Sequence, residues 1–248
     1  MSSQPSPNDF PASLSPIIHL PPNNKPTNAI LFLPGLGDMA ANFSSFARAL
    51  NLPDAMTITL NPPVPLPFPL GPGYQWSEDL QVDSTTGDLD LDSSLTRAVE
   101  LVAQDVIAKV LIDKLKYRPE QIHLFGFGQG GSVALSVPLH SSLSAQSSLG
   151  GIISIGGGLP LSTSLANTSS KNRTPVLLLS GSKSPLASAE SSPLKRVKST
   201  FEFVTYHQWN KAEDSMPQNR NEMLPMMQFW GRRLRSRRGV PDDAVEIS

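Results

Sequence analysis

The run Gly126-Phe127-Gly128-Gln129-Gly130-Gly131 joins an apolar stretch to a helix-compatible one, the setting of a nucleophile elbow. In acyl transfer such a turn lifts one serine clear of a sheet, while flanking glycines let strand and helix crowd together. Here Gly128 occupies the serine's position. Glycine adopts the required positive-φ backbone with least strain, so the turn is predicted to survive with the Gln129 amide as an oxyanion donor. The attacking oxygen is absent.

The same residues, read as Gly126-x-Gly128-x-x-Gly131, satisfy a dinucleotide fingerprint whose glycines bring backbone up to a pyrophosphate. That chemistry needs an acidic residue near the end of the next strand to hold the ribose, and a position in the first strand–helix unit. No Asp or Glu lies between Glu120 and Glu190, and the run sits mid-chain. Both conditions fail, and no cofactor is expected.

The elements around the turn follow from composition and periodicity. A chain of 248 residues, 39% hydrophobic, can bury one α/β core, and its net charge of -1 supplies no global field for nucleic acid or an anionic membrane. Absence of cysteine excludes disulfides, thiol nucleophiles and sulfur-ligated metals, and fits a reducing compartment. No stretch has the length of a signal-peptide core or a membrane helix, so a cytoplasmic protein is expected. Residues 1–27 carry Pro5, Pro7, Pro11, Pro16, Pro21, Pro22 and Pro26, too broken for a helix, although Ile17-Ile18-His19-Leu20 can add an edge strand. They are expected to form an extension to a domain spanning 28–238, with 239–248 a flexible tail.

Ala29-Ile30-Leu31-Phe32-Leu33 is continuously apolar and ends at Pro34-Gly35, the pattern of a strand covered on both faces. A helix through Arg48 and a strand over 56–60 follow. The proline-rich connection 61–92, with Phe68, Tyr74 and Trp76, has the length of a lid or binding loop. Ser94 can cap a helix whose Leu95, Val99, Val102, Val106 and Val110 give one apolar face through Lys116. Strands are predicted over 121–127, 150–155, 175–179 and 201–206, and a last helix from Asn219 with Met223, Met226, Met227 and Trp230 on its apolar side. This alternation predicts an α/β fold, an open, mostly parallel sheet with helices on both faces.

Leu33-Pro34-Gly35-Leu36-Gly37-Asp38 after the first core strand, Trp76, the glycine run, Gly158-Leu159-Pro160-Leu161 and the terminal helix together resemble the phospholipase/carboxylesterase family of α/β-hydrolases, which contains acyl-protein thioesterases. The resemblance spans residues 28–236. It implies an α/β-hydrolase fold, with an amide near Leu36 completing the oxyanion site of Gln129 and with Trp76 at the pocket. The family's first motif reads His-Gly-Leu-Gly-Asp and its elbow Gly-Phe-Ser-Gln-Gly-Gly, so this chain departs at Pro34 and at Gly128. The family's acid stands in Gly-Asp-x-Asp-Pro; the corresponding Gly181-Ser182-Lys183-Ser184-Pro185 has Ser184 there. Its histidine lies near the present Asp214 to Met216, where none occurs. His207, at the end of a strand, is the remaining candidate base, and the carboxylates between the elbow and His207 are Glu190 and Glu202.

Loss of a triad nucleophile lowers kcat by about 10⁶, or roughly 8 kcal/mol of barrier. The reading is therefore a pseudoenzyme-like module that holds an acyl or lipid ligand, or a protein partner. The alternative is an active carboxylic ester or thioester hydrolase with an unrecognised nucleophile; Ser132, Ser180 and Ser182 lack the elbow's exposed setting. Asp79, Asp83, Asp88, Asp90 and Asp92 do not follow calcium-loop intervals, and His19, His123, His140 and His207 form no metal-spaced pair, so no metal is expected. Arg232, Arg233, Arg235, Arg237 and Arg238 form a basic run at a helix C-terminus, where the dipole favours it; RNA or anionic lipid is the lesser reading.

Overall fold

The computed structural model describes residues 4–67, 70–77, 94–143, 148–163, 170–187 and 192–236. In chain order the elements are β1 (Ile17–His19), β2 (Asn28–Leu33), α1 (Ala40–Ala49), β3 (Ala55–Thr59), β4 (Val64–Pro65), β5 (Tyr74–Gln75), α2 (Thr96–Glu100), β6 (Ile122–Phe127), α3 (Gln129–Ser136), β7 (Gly151–Ile155), β8 (Val176–Ser180), α4 (Ser192–Thr200), β9 (Val204–Gln208) and α5 (Arg220–Gly231). Seven strands form one sheet in the order β1-β3-β2-β6-β7-β8-β9. The β1–β3 pair is antiparallel and the other pairs are parallel. The apolar runs therefore have the predicted meaning: β2, β3, β7 and β8 are buried at every position, because helices cover both faces of a parallel sheet.

Side-chain alternation divides the core. Leu31, Leu33, Leu124, Ile152 and Leu178 face the helix that follows Leu95 and the helices α3 and α4. Ile30, Phe32, Phe125, Ile153 and Leu177 face α1 and α5. On that second face the Phe32, Phe43, Phe46 and Phe125 rings pack tilted or edge-on, and Phe125 meets Trp230 at 6.0 Å between centroids. These pairs fix α1 and α5 against the central strands.

Several boundaries differ from expectation. Leu95, not Ser94, is the N-cap of α2; the Thr96 amide reaches the Ser94 hydroxyl only at 3.4 Å. From Leu101 to Lys114 the helix winds more widely, as a π-helix. Burial falls in pairs every four residues (Ala98 and Val99, Val102 and Ala103, Val106 and Ile107, Val110 and Leu111), which the wider winding keeps against the sheet. Met227 of α5 is exposed while Met226 and Trp230 are buried, a narrower stripe than predicted. The short polar helix α4 and the β4–β5 hairpin were not foreseen. Phe68, the acidic positions Asp79, Asp83, Asp88, Asp90 and Asp92, and residues 237–248 lie outside the described residues.

The proline-rich segment before Asn28 is packed onto this body from residue 4 onward. Phe10 and Leu14 enter the core, Ser6 and Asp9 form a reciprocal cap, and Lys114 Nζ donates to Asp9 at 2.7 Å. At the other end, Asn28 Oδ1 accepts from the Arg235 amide at 3.0 Å and its Nδ2 donates to the Arg235 carbonyl at 2.8 Å. Among the described residues no helix is long and apolar enough to cross a membrane.

His123 is fully buried in β6 beside Gly150 and Gly151, and among the described residues neither ring nitrogen has a hydrogen-bond partner. Burial, and secondarily the Arg233 charge, lowers its pKa from 6.5 to about 4. The unfolded chain thus binds a proton that the folded chain refuses between those values. The associated stability is complete above pH 6.5 and is lost as pH falls through 4, by about 3 kcal/mol in total. Urea melts of wild type and His123→Leu at pH 7 and pH 4 measure this, since the other acid-titrating groups are common to both. The variant is expected to lose about 3 kcal/mol less on acidification.

Candidate functional site

The carboxyl ends of β6, β7 and β8 converge where an open parallel sheet ordinarily binds ligands. Gly128 follows β6 directly with φ 49° and ψ -119°, and caps α3. Its amide donates to the Ile155 carbonyl at 2.8 Å, and its carbonyl accepts from the Ser132 amide at 3.1 Å. The predicted elbow is present as backbone. A Cβ at Gly128 would have no neighbour within 4 Å, so the space for a nucleophile remains. Gly130 is constrained by packing, since a side chain there would overlap the Leu33 and Pro34 carbonyls of the loop after β2.

That loop and the elbow are joined through Trp76. Its indole Nε1 donates to the Pro34 carbonyl at 2.8 Å, and its amide donates to Gln129 Oε1 at 2.7 Å. Gln129 Nε2 continues to the Ser77 hydroxyl at 3.2 Å, and the Gly37 amide donates to Tyr74 at 2.8 Å. Trp76 is 1% exposed, so it is a fixed brace behind the site rather than a mobile cover. The Gln129 amide opens α3 and has no acceptor within the helix, which leaves it free to meet an anion or a carbonyl. Leu36 is half-buried in the loop that Trp76 braces.

In front of Gly128 lies a cavity of about 270 Å³ lined by Gly128, Gln129, Ser132, Gly156 and an apolar wall that includes Leu159, Pro160, Leu161 and Leu186. Neither Leu36 nor Trp76 lines it. Ser132 does, but its hydroxyl turns toward the Gly128 carbonyl at 3.5 Å, as a helical serine does. A larger hollow, of about 340 Å³, lies at Lys25, Lys116 and Tyr117, at the opposite end of the strands.

Among the described residues, none of the other positions that the resemblance assigns to a triad lines these walls. Ser184 is buried and its hydroxyl accepts from the Leu186 amide at 3.2 Å, closing a local turn. His207 is exposed on β9, the edge strand. Three inter-strand steps separate β9 from β6, roughly 14 Å at ordinary sheet spacing, so His207 and Gly128 cannot act as a pair. Glu202 is exposed and pairs with Arg173 at 3.3 Å. Glu190 lies outside the described residues. Ser180 bonds Tyr206 Oη at 2.8 Å, and Ser182 is exposed.

Asp214, an acid beyond His207 and so outside the stretch where the expected chain order places one, packs against the cavity-lining Gly156. Asp214 Oδ1 accepts from the Gly181 amide at 2.8 Å, and a Cβ on Gly156 would lie 2.7 Å from Oδ2. Ser182 and Lys183 amides donate to the Lys211 and Ala212 carbonyls at 2.8 Å each, so the two loops run side by side. Lys211 Nζ holds the second loop shut through the Ser215 and Met216 carbonyls and Glu222, 4.0 Å over the Trp209 ring. Its hydrogen bond keeps the Glu222 carboxyl below its ordinary range.

The sequence pattern of the phospholipase/carboxylesterase family matches residues 17–230. The chain belongs to that family. An uncharacterised hydrolase of Schizosaccharomyces pombe is 29% identical over 229 residues, 91% of each chain. Acyl-protein thioesterase 1 of Gibberella zeae is 24% identical over 198 residues, covering 73% of this chain and 79% of that one. Among solved structures, Zea mays acyl-protein thioesterase 2 superposes with a TM-score of 0.65 at 19% identity over 88% of this chain and 98% of its own. Esterase PE8 gives 0.69 at 19% identity over 89% and 99%. These structural likenesses confirm the α/β-hydrolase fold. Within the phospholipase/carboxylesterase family, then, this member keeps the elbow's backbone and has glycine where the resemblance expects the nucleophile.

Trp76→Phe tests the brace. It removes the buried donor to the Pro34 carbonyl while keeping most of the aromatic volume, and is expected to cost about 1–2 kcal/mol in urea unfolding at pH 7. A loss under a few tenths would show that the loop after β2 holds its shape without the indole.

Proposed function

We propose that this member of the phospholipase/carboxylesterase family binds an apolar, acyl-like ligand in the cavity before Gly128 and does not hydrolyse it by serine chemistry. The observation that carries the reading is Gly128 itself, in elbow conformation on the floor of a cavity with a largely apolar wall, with no side chain to attack. Two further features support it. Ser184 is committed to a turn, and His207 stands on the sheet's far edge. The remaining oxyanion donor, the Gln129 amide, is suited to hold a ligand's polar end as readily as a transition state.

A fluorophosphonate serine reagent and a neutral naphthalene dye test the two halves of the proposal. The wild-type protein is expected to stay unlabelled by the reagent and to bind the dye, with Leu161→Asp at the exposed rim weakening dye binding about tenfold without loss of stability. Gly128→Ser should fold, at about 1–3 kcal/mol of backbone strain, and should also resist labelling because among the described residues no histidine lines the cavity. Strong labelling of wild type, abolished by one Ser→Ala change, would establish the alternative reading as an active hydrolase.

A further inference from the structure

The hollow of about 340 Å³ at the strand ends opposite Gly128 opens between the segment that leads into β2 and the one that leads into β6. Its charged lining is of one sign: Lys25 stands on the first segment and Lys116 on the second, and among the described residues no carboxylate shares the wall. Neither amine has a hydrogen bond or an ion pair with the described residues. Tyr117 lines the same hollow, half-buried, and burial pushes its pKa up to about 12, so its hydroxyl stays a neutral donor. Leu20 and Leu115 make part of the wall apolar.

Lys116 is not what its turn calls for. Its backbone lies at φ 62°, a left-handed conformation that glycine adopts without strain and lysine does not. Main chain alone closes that turn, with the Lys116 amide donating to the Ile112 carbonyl at 3.1 Å and the Tyr117 amide to the Leu111 carbonyl at 2.9 Å. A cation thus stands where the local backbone favours no side chain. Lys25 is set by a second turn: Asn24, at φ 53°, donates its amide to the Pro21 carbonyl at 2.9 Å, and the Lys25 amide donates to Asn23 Oδ1 at 3.0 Å.

We infer that this hollow binds a phosphate monoester, at a site separate from the cavity before Gly128. Such a group carries a charge of about -2 at neutral pH and three acceptor oxygens, which two ammonium groups and a phenol satisfy together. The apolar part of the wall suits the carbon body to which the phosphate is attached. Because its two cations come from different segments, the ligand also fastens the proline-rich start to the body of the fold.

Calorimetric titration of the full chain with glycerol 3-phosphate, and flotation with phosphatidylcholine vesicles containing or lacking phosphatidic acid, test the site and tell a free ester from a lipid headgroup. Binding is expected to one or both phosphate monoesters, and to neither glycerol nor phosphatidylcholine alone. Lys116→Gly is expected to weaken it about tenfold while keeping or raising the thermal midpoint, since glycine relieves the left-handed turn. Lys25→Gln should weaken it to a similar degree, and Lys195→Gln, on α4, should leave it unchanged. A lysine with only a structural role would not combine lost affinity with undiminished stability. If neither probe binds, if Lys116→Gly and Lys25→Gln bind as wild type does, or if Lys195→Gln loses as much as they do, the site is overturned, and the reading of the cavity before Gly128 stands apart from each of these results.

Discussion

Everything at the site hangs on one backbone conformation, the left-handed turn at Gly128 clamped between the Ile155 carbonyl and the Ser132 amide. That clamp ends β6 and starts α3 with Gln129, whose amide has no acceptor within the helix. It works because glycines let helix, strand and the loop after β2 approach to backbone contact, with the Leu33 and Pro34 carbonyls lying against Gly130. The shape of the turn belongs to main chain alone. A side chain can therefore be absent at Gly128 while the turn keeps its form.

The neighbouring loops show the same separation of frame from chemistry. The segments beginning at Gly181 and Lys211 lie side by side through main-chain hydrogen bonds, with neither an acid at Ser184 nor a histidine near Met216 to link them. Asp214 supplies the side-chain link in their stead, reaching from the second loop to the Gly181 amide.

How much of this could be read from sequence depended on whether local pattern or distant contact decided the outcome. The buried strands were legible because complete burial in a parallel sheet produces unbroken apolar runs such as residues 29–33 and 176–179. The elbow was legible because its glycine spacing reports a steric requirement. The family followed from motifs spread along most of the chain, and the match over residues 17–230 agrees with it. Helix α4 escaped notice because Ser, Pro and Lys dominate it and only Leu194 and Val197 carry its burial. Asp214 escaped for another reason: its importance lies in what Gly156 and Gly181 lack, and no sequence pattern records a contact between loops more than thirty residues apart. Likewise the anchoring of the proline-rich start rests on two side chains, Phe10 and Leu14, that look unremarkable in an irregular stretch.

The reciprocal bonds between Asn28 and Arg235 fasten the end of the described chain to the first residue of a central strand. The beginning is held nearby, since Gln4 and Pro5 share a hollow with Leu115 and Gln121 at the amino ends of the strands. Gly128 sits at the carboxyl ends, on the opposite rim of the sheet. The described residues thus begin and end on the rear rim of the molecule, opposite the mouth of the cavity.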